Sequence, residues 1–125
     1  MDMDDSVNVL GEPLGICGDN PVTGFFRDSK CNTCQEDIGL HTVCIVASRE
    51  FLEYSRSKGN DLSTPAPEFG FDGLKPGNTW CLCAARWLEA YKEGMAPKVY
   101  LTRTHQRTLE VVQVELLKQF AADLN

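Results

Sequence analysis

A chain of 125 residues with 42% hydrophobic and 24% charged residues has the length and composition of one ordinary globular domain, not of a disordered segment. Asp plus Glu number 18 and Lys plus Arg 12, so the net charge of −6 excludes the basic footprint of a nucleic-acid binder and disfavours an anionic membrane surface. No run approaches the ~18 apolar residues of a membrane span, and the N-terminus has no basic-then-apolar leader, so a cytoplasmic location with reduced thiols is expected.

In chain order, residues 1–6 (MDMDDS) read as a flexible acidic tail ahead of a single domain over residues 7–125. Residues 7–39 are punctuated by Gly11, Pro13, Gly15, Gly18, Pro21, Gly24 and Gly39, which leaves no room for a long helix or strand. Phe25 and Phe26 form an apolar pair there and are expected to anchor the segment to the core. Residues 42–47, TVCIVA, are apolar and β-branched, as a buried strand requires. Ser48 can cap a helix over residues 49–58 that ends at Gly59, with Phe51, Leu52 and Ser55 on its inner face.

Residues 60–78 form a long Pro/Gly-rich connection, of the length usually reserved for functional or disordered loops. Phe69, Phe71 and Leu74 favour an ordered loop packed by its own side chains. A second strand is expected over residues 79–84, and a helix with Trp87, Leu88 and Tyr91 inward follows over residues 85–93. Residues 98–102 read as a third strand, residues 105–109 as a turn capped by Thr104, Val111-Val112 as a brief strand, and residues 114–123 as a final amphipathic helix. Residues 42–49 (TVCIVASR) align without gaps to residues 79–86 (TWCLCAAR), so two strand–helix units share one design. The fold class that follows is α+β in two layers: one small sheet, helices packed on one of its faces, and a loop-rich N-terminal third.

Strand alternation places Cys81 and Cys83 on one face, with Trp80, Leu82 and Ala84 on the other. The repeat puts Cys44 at the point of its strand that Cys81 occupies. Cys31, Cys44, Cys81 and Cys83 are therefore the candidate metal ligands, for zinc or iron. Small residues filling a tight interface remain the plain alternative. Cys31-Asn32-Thr33-Cys34 has the spacing of a zinc knuckle but no second knuckle to pair with. Nucleophilic catalysis would need a thiolate, a base and donors for developing charge. The candidates are Cys81, Cys83 or Cys31 with His41 or His105, and Arg27, Arg49 or Arg86 for substrate charge. Asp28, Glu36 and Asp37 are candidate ligands or bases, against the commoner reading as solvated loop carboxylates.

The blocks PVTGFFRD (21–28), GLHTVC (39–44), GNDLSTP (59–65), GLKPG (73–77), WCLCA (80–84) and Thr104-His105 resemble the family called domain of unknown function 2237. The resemblance runs over nearly the whole chain from Val7. It implies a small, mostly bacterial, two-layer α+β protein and carries no activity over to this chain. Members usually have a second Cys where this chain has Lys30, and Gly where it has Cys34, which moves weight from the knuckle onto the Cys81/Cys83 strand. Cys17, Cys31, His41, Cys44, Cys81, Cys83 and His105 match the family's blocks. So do Arg27, Asp28, Asn60, Asp61, Ser63 and Thr64, taken here as candidate ligand-binding residues.

The expectation is a Cys/His-lined pocket, roofed by residues 60–78, that holds a small molecule or a metal. The alternatives are a thiol-dependent enzyme acting on a small polar or anionic metabolite, and an interaction module using the 60–78 loop. The sequence is silent on oligomeric state.

Overall fold

A computed structural model describes residues 2–123 of the chain. Strand β1 (His41–Val46) lies at the centre of a three-stranded antiparallel sheet in the order β2-β1-β3, with β2 (Thr79–Cys83) and β3 (Lys98–Val99) at its edges. Helix α1 (Arg49–Ser57) follows β1, α2 (Ala84–Lys92) follows β2, and a short α3 (Val114–Lys118) closes the chain. This is the two-layer α+β arrangement expected, with the two strand–helix units as antiparallel neighbours. Among the described residues no helix is long and apolar enough to cross a membrane.

Each helix begins and packs for local reasons. Ser48 caps α1 by accepting the Phe51 N–H at 3.1 Å, and Phe51, Leu52 and Ser55 form its buried face. In α2 the buried residues are Ala84, Trp87 and Ala90, so the stripe is narrower than expected; Leu88 and Tyr91 lie only partly buried at its margin. Trp87 is fully buried, donates its indole N–H to the Pro97 carbonyl at 3.1 Å, and stacks on Tyr91. Val43, Ile45, Trp80 and Leu82 meet these helices in the main core. The third strand is only Lys98–Val99, because Leu101–Arg103 turns into a 3-10 helix. Residues 111–112 make no strand, and the final helix stops at Lys118, so the C-terminal elements are shorter than the sequence suggests.

The opposite face of the sheet is where the structure departs most from expectation. Cys44 and Cys81 sit directly across from each other in the β1–β2 register. Each is joined to a cysteine of the loop-rich third, by the disulfides Cys17–Cys44 and Cys31–Cys81. The four sulfurs form a second buried cluster, walled by Tyr100. The expectation of reduced cysteines is therefore corrected for these four, while Cys83 is a free thiol. The reason it failed is topological: each bond joins a strand to a distant loop, a proximity that no local spacing encodes.

Residues 2–40 contain no helix or named strand, and polar contacts complete what the disulfides begin. Thr23 Oγ1 accepts the Cys81 N–H at 2.9 Å, covering the free edge of β2. A Cβ at Gly18 would overlap Thr79 Oγ1, so only glycine permits this close approach. At the other edge Val99 bonds Phe120 O, and Ala122 N–H returns to Val99 O. The acidic start of the chain makes contacts with the rest of the fold. Asp4 N–H donates to Thr33 O, its carboxylate pairs with Arg107 at 2.9 Å, and Asp5 O accepts a bond from His105. Met1 and residues 124–125 lie outside the described residues.

Two expectations follow. The Cys31–Cys81 bond spans a sequence separation of 50, for which the chain-entropy model gives on the order of 4 kcal/mol. Cys31→Ala plus Cys81→Ala should lower the urea-unfolding free energy by an amount of that order, read from the shift in midpoint. The second concerns His105, which is fully buried; its Nε2–H donates to Asp5 O at 2.8 Å and its Nδ1 accepts the Arg107 N–H at 3.1 Å. Burial lowers its pKa below the ordinary histidine value. The unfolded chain therefore binds a proton that the folded chain resists, and stability should fall as pH drops below about 6.5. Unfolding midpoints at pH 7.5 and 5.5 should show the loss, and His105→Asn should flatten it.

Candidate functional site

The segment that turns into β1 builds the most organised polar constellation. Leu40 adopts a left-handed backbone (φ 46°), uncommon for a branched residue, and its carbonyl accepts the Ala84 N–H at 2.9 Å. This turn folds Asp37 back beneath His41. The Asp37 carboxylate is fully buried and fully engaged: Oδ1 meets His41 Nδ1 at 2.7 Å, while Oδ2 accepts the His41 backbone N–H at 3.0 Å and the Thr33 hydroxyl at 2.9 Å. A carboxylate can only accept, so it sets the proton of neutral His41 on Nδ1 and leaves the Nε2 lone pair available. The imidazole itself is 45% exposed and stacks on Phe25, with ring centroids 6.4 Å apart. A Cβ on Gly39 would lie 2.9 Å from His41 Cε1, so glycine leaves the ring its place.

Register brings a thiol to this imidazole's neighbourhood. His41 opposes Cys83 across the β1–β2 pair, with a bulge between His41 and Val43 that re-aims the end of the strand. Cys83 is a free, partly exposed thiol and also the N-cap residue of α2. Its side chain makes no capping hydrogen bond, although a helix N-terminus favours negative charge nearby. Among the described residues no hydrogen bond joins Cys83 to His41; a proton relay between them requires a bridging water or a rotamer change.

Both groups line a cavity of about 530 Å³, together with Arg27, Asn60, Trp80 and Arg86. Arg27 also has a left-handed backbone (φ 56°); its guanidinium donates to Gly24 O at 2.8 Å and lies 5.2 Å from the Trp80 ring centroid. Arg86, from the first turn of α2, donates to the Lys58 carbonyl at 3.1 Å. Among the described residues no carboxylate lines the cavity, although Arg86 pairs with Glu89 at 3.5 Å, so its walls are cationic, neutral polar and apolar in a chain whose net charge is −6.

The remaining candidates fall elsewhere. His105 has both ring nitrogens occupied within the fold. Cys31, Cys44 and Cys81 are disulfide-bonded, so they and Cys83 do not present the four thiolates of the expected metal set. Asp28 accepts from Lys30 N–H and the Asn32 amide, within its own loop. Asp61 accepts from the backbones of Ser63 and Thr64 and from the Thr64 hydroxyl, contacts that hold its carboxyl below the usual range and define a turn. Of the 60–78 loop, only Asn60 and Leu62 reach the cavity. Its Phe69 is 83% exposed beside a second depression of about 740 Å³, which shares the Arg27 and Trp80 wall. Asp37 is the residue whose importance the sequence obscured, although its i, i+4 spacing to His41 was there to be read.

These features define a small α+β domain with a disulfide-stapled sheet and a cationic, thiol-bearing pocket. Over residues 7–121 the chain matches the model of a family described as an uncharacterized protein conserved in bacteria, domain of unknown function 2237. The chain belongs to that family. No curated protein matches it.

The Asp37 contact has a measurable consequence. Nitrogen-15 NMR at pH 8 should show His41 as the Nδ1–H tautomer. Asp37→Asn should shift it toward Nε2–H and cost about 1–3 kcal/mol of stability, the usual penalty for disrupting a buried polar network.

Proposed function

We propose that the cavity between β1, β2 and the N-terminal loops binds a small anionic molecule and that Cys83 is the group that reacts with it. The observation that carries this reading is the convergence of Arg27, Arg86, His41 and Cys83 on one cavity with no carboxylate among them. Two guanidiniums supply attraction for a carboxylate or phosphate, and Asn60 adds a neutral polar group for orientation. Trp80, Leu82 and Phe25 provide apolar wall against which the rest of a small ligand packs.

Thiol-dependent catalysis is the chemical form of this reading that the geometry favours. A nucleophile needs a base, and the base needs an orienting partner. Asp37 orients His41, and register brings His41 opposite Cys83. The first turn of α2 begins at the nucleophile, where N–H groups stabilise charge as it develops. His41 is the base in this scheme because its Nε2 is free of the Asp37 contact, whereas His105 has no nitrogen to offer. The exposed Phe69 leaves the loop-docking reading without a specified partner.

The test compares two alkylating reagents of similar size, anionic iodoacetate and neutral iodoacetamide, with Cys83 modification followed by peptide mass mapping. Relative to free cysteine, the iodoacetate-to-iodoacetamide rate ratio at Cys83 should rise about tenfold, the factor that ~1.4 kcal/mol of ion pairing supplies. Arg27→Ala and Arg86→Ala should each reduce that ratio, while His41→Ala should slow both reagents and leave the ratio in place. A ratio equal to that of free cysteine would sink the anion-binding reading.

A further inference from the structure

The four-sulfur cluster adjoins the pocket through Cys81 but supplies none of its proposed reacting groups, and it has a geometry that two separate disulfides do not require. The Sγ atoms of Cys17, Cys31 and Cys81 lie within 4.8 Å of one another, and Cys44 is bonded to Cys17. The two disulfides are therefore neighbours, with Cys44 Sγ outside the group of three. All four residues are buried, and they form a cluster of their own, separate from the aliphatic and aromatic core.

We infer that this cluster is a redox-dependent metal site: oxidised it is two disulfides, and reduced it binds one zinc-type divalent cation through four thiolates. The balance is simple. Two equivalents of a dithiol reductant, each oxidised to its disulfide, supply the four electrons and four protons that cleave the two S–S bonds. One divalent cation then binds four sulfurs and displaces the four thiol protons to solvent.

Three observations support the inference. The first is spacing: zinc–thiolate bonds of about 2.3 Å in a tetrahedron set neighbouring sulfurs roughly 3.8 Å apart. Cys17, Cys31 and Cys81 already lie within 4.8 Å of one another, and once the S–S bonds are cut Cys44 has to move toward that group to complete a tetrahedron. The second is the origin of the ligands. Cys44 and Cys81 come from facing positions of two paired strands, which hold them rigidly, while Cys17 and Cys31 come from loops that can adjust. Cys17 N–H is anchored to Ser29 O at 2.8 Å and Cys81 N–H to Thr23 Oγ1 at 2.9 Å, so the frame around the sulfurs does not depend on the S–S bonds alone. The third is charge. Four thiolates around a divalent cation leave a net −2, and Tyr100 at the cluster's wall carries the Arg103 guanidinium 4.1 Å from its ring centroid.

The consequence is that the loop-rich third has two alternative staples. In an oxidising setting the disulfides hold it to the sheet; in a reducing one, such as the cytoplasm expected from the sequence, the metal does so. This proposal is independent of the pocket reading, because it uses neither Cys83 nor His41.

The experiment uses the full chain carrying Cys34→Ser and Cys83→Ser, so that the cluster supplies every thiol. After reduction by a dithiol, removed before titration under anaerobic conditions, Co²⁺ is added as the spectroscopic probe. One equivalent should give the visible bands of tetrahedral thiolate coordination, restore the native near-ultraviolet circular dichroism of the tryptophans, and be displaced by one equivalent of Zn²⁺. The oxidised protein should bind none. Adding Cys17→Ser should weaken the reduced protein's affinity at least 100-fold, more than a change outside the ligand set usually costs. The proposal is overturned by an absent tetrahedral spectrum, by binding without recovery of the native dichroism, or by equal binding to the oxidised protein.

Discussion

The structure depends on the covalent attachment of an irregular N-terminal third to the back of a three-stranded sheet. A sheet this small can bury only one face against helices, and α1 and α2 occupy that face. The other face would be left to water. Here the facing pair Cys44 and Cys81 turns it into an attachment point for Cys17 and Cys31. Loop closure is the largest entropic obstacle for a segment without helices or strands, and crosslinks act on that cost.

The pocket is a product of the same attachment. Phe25 and Arg27 come from the stapled loops, and Asp37 comes from the turn that delivers the chain to β1. The helix layer contributes from the other side, through Cys83 as the cap of α2 and Arg86 in its first turn. One cavity thus gathers groups from both layers at the end of the β1–β2 pair. Backbone strain gathers in the same region, with left-handed Arg27 and Leu40 bordering or forming it. Such conformations persist where surrounding structure over-determines them, and here the disulfides and the Asp37 network do so.

Chemically, burial along one face of β2 divides the cysteines by function. Cys81 is sealed beneath the loops, whereas Cys83, two residues on, emerges where the strand becomes a helix. The alternation that put them on one face holds along the strand, but burial does not: Cys81 is buried and Cys83 only partly so. A buried half-cystine and a partly exposed thiol are therefore neighbours with different chemistry.

Much of this was legible in the residues. TVCIVA and TWCLC are strands because β-branched and apolar side chains fit a sheet buried on both faces. Ser48 is a cap because its hydroxyl meets a first-turn N–H, and Trp80 and Leu82 oppose Cys81 because a strand has period two. These are local rules, and the sequence by itself determined the α+β class, both strand–helix units and the placing of Cys44 as the counterpart of Cys81. Tertiary structure alone decided which sulfurs pair, that Asp37 rather than a distant carboxylate orients His41, that His105 is spent on the fold, and that Arg27 and Arg86 line one cavity. Each of those facts joins residues far apart in the chain, or depends on a turn as unusual as that at Leu40. Such contacts are settled by packing and loop closure, and no spacing along the chain records them.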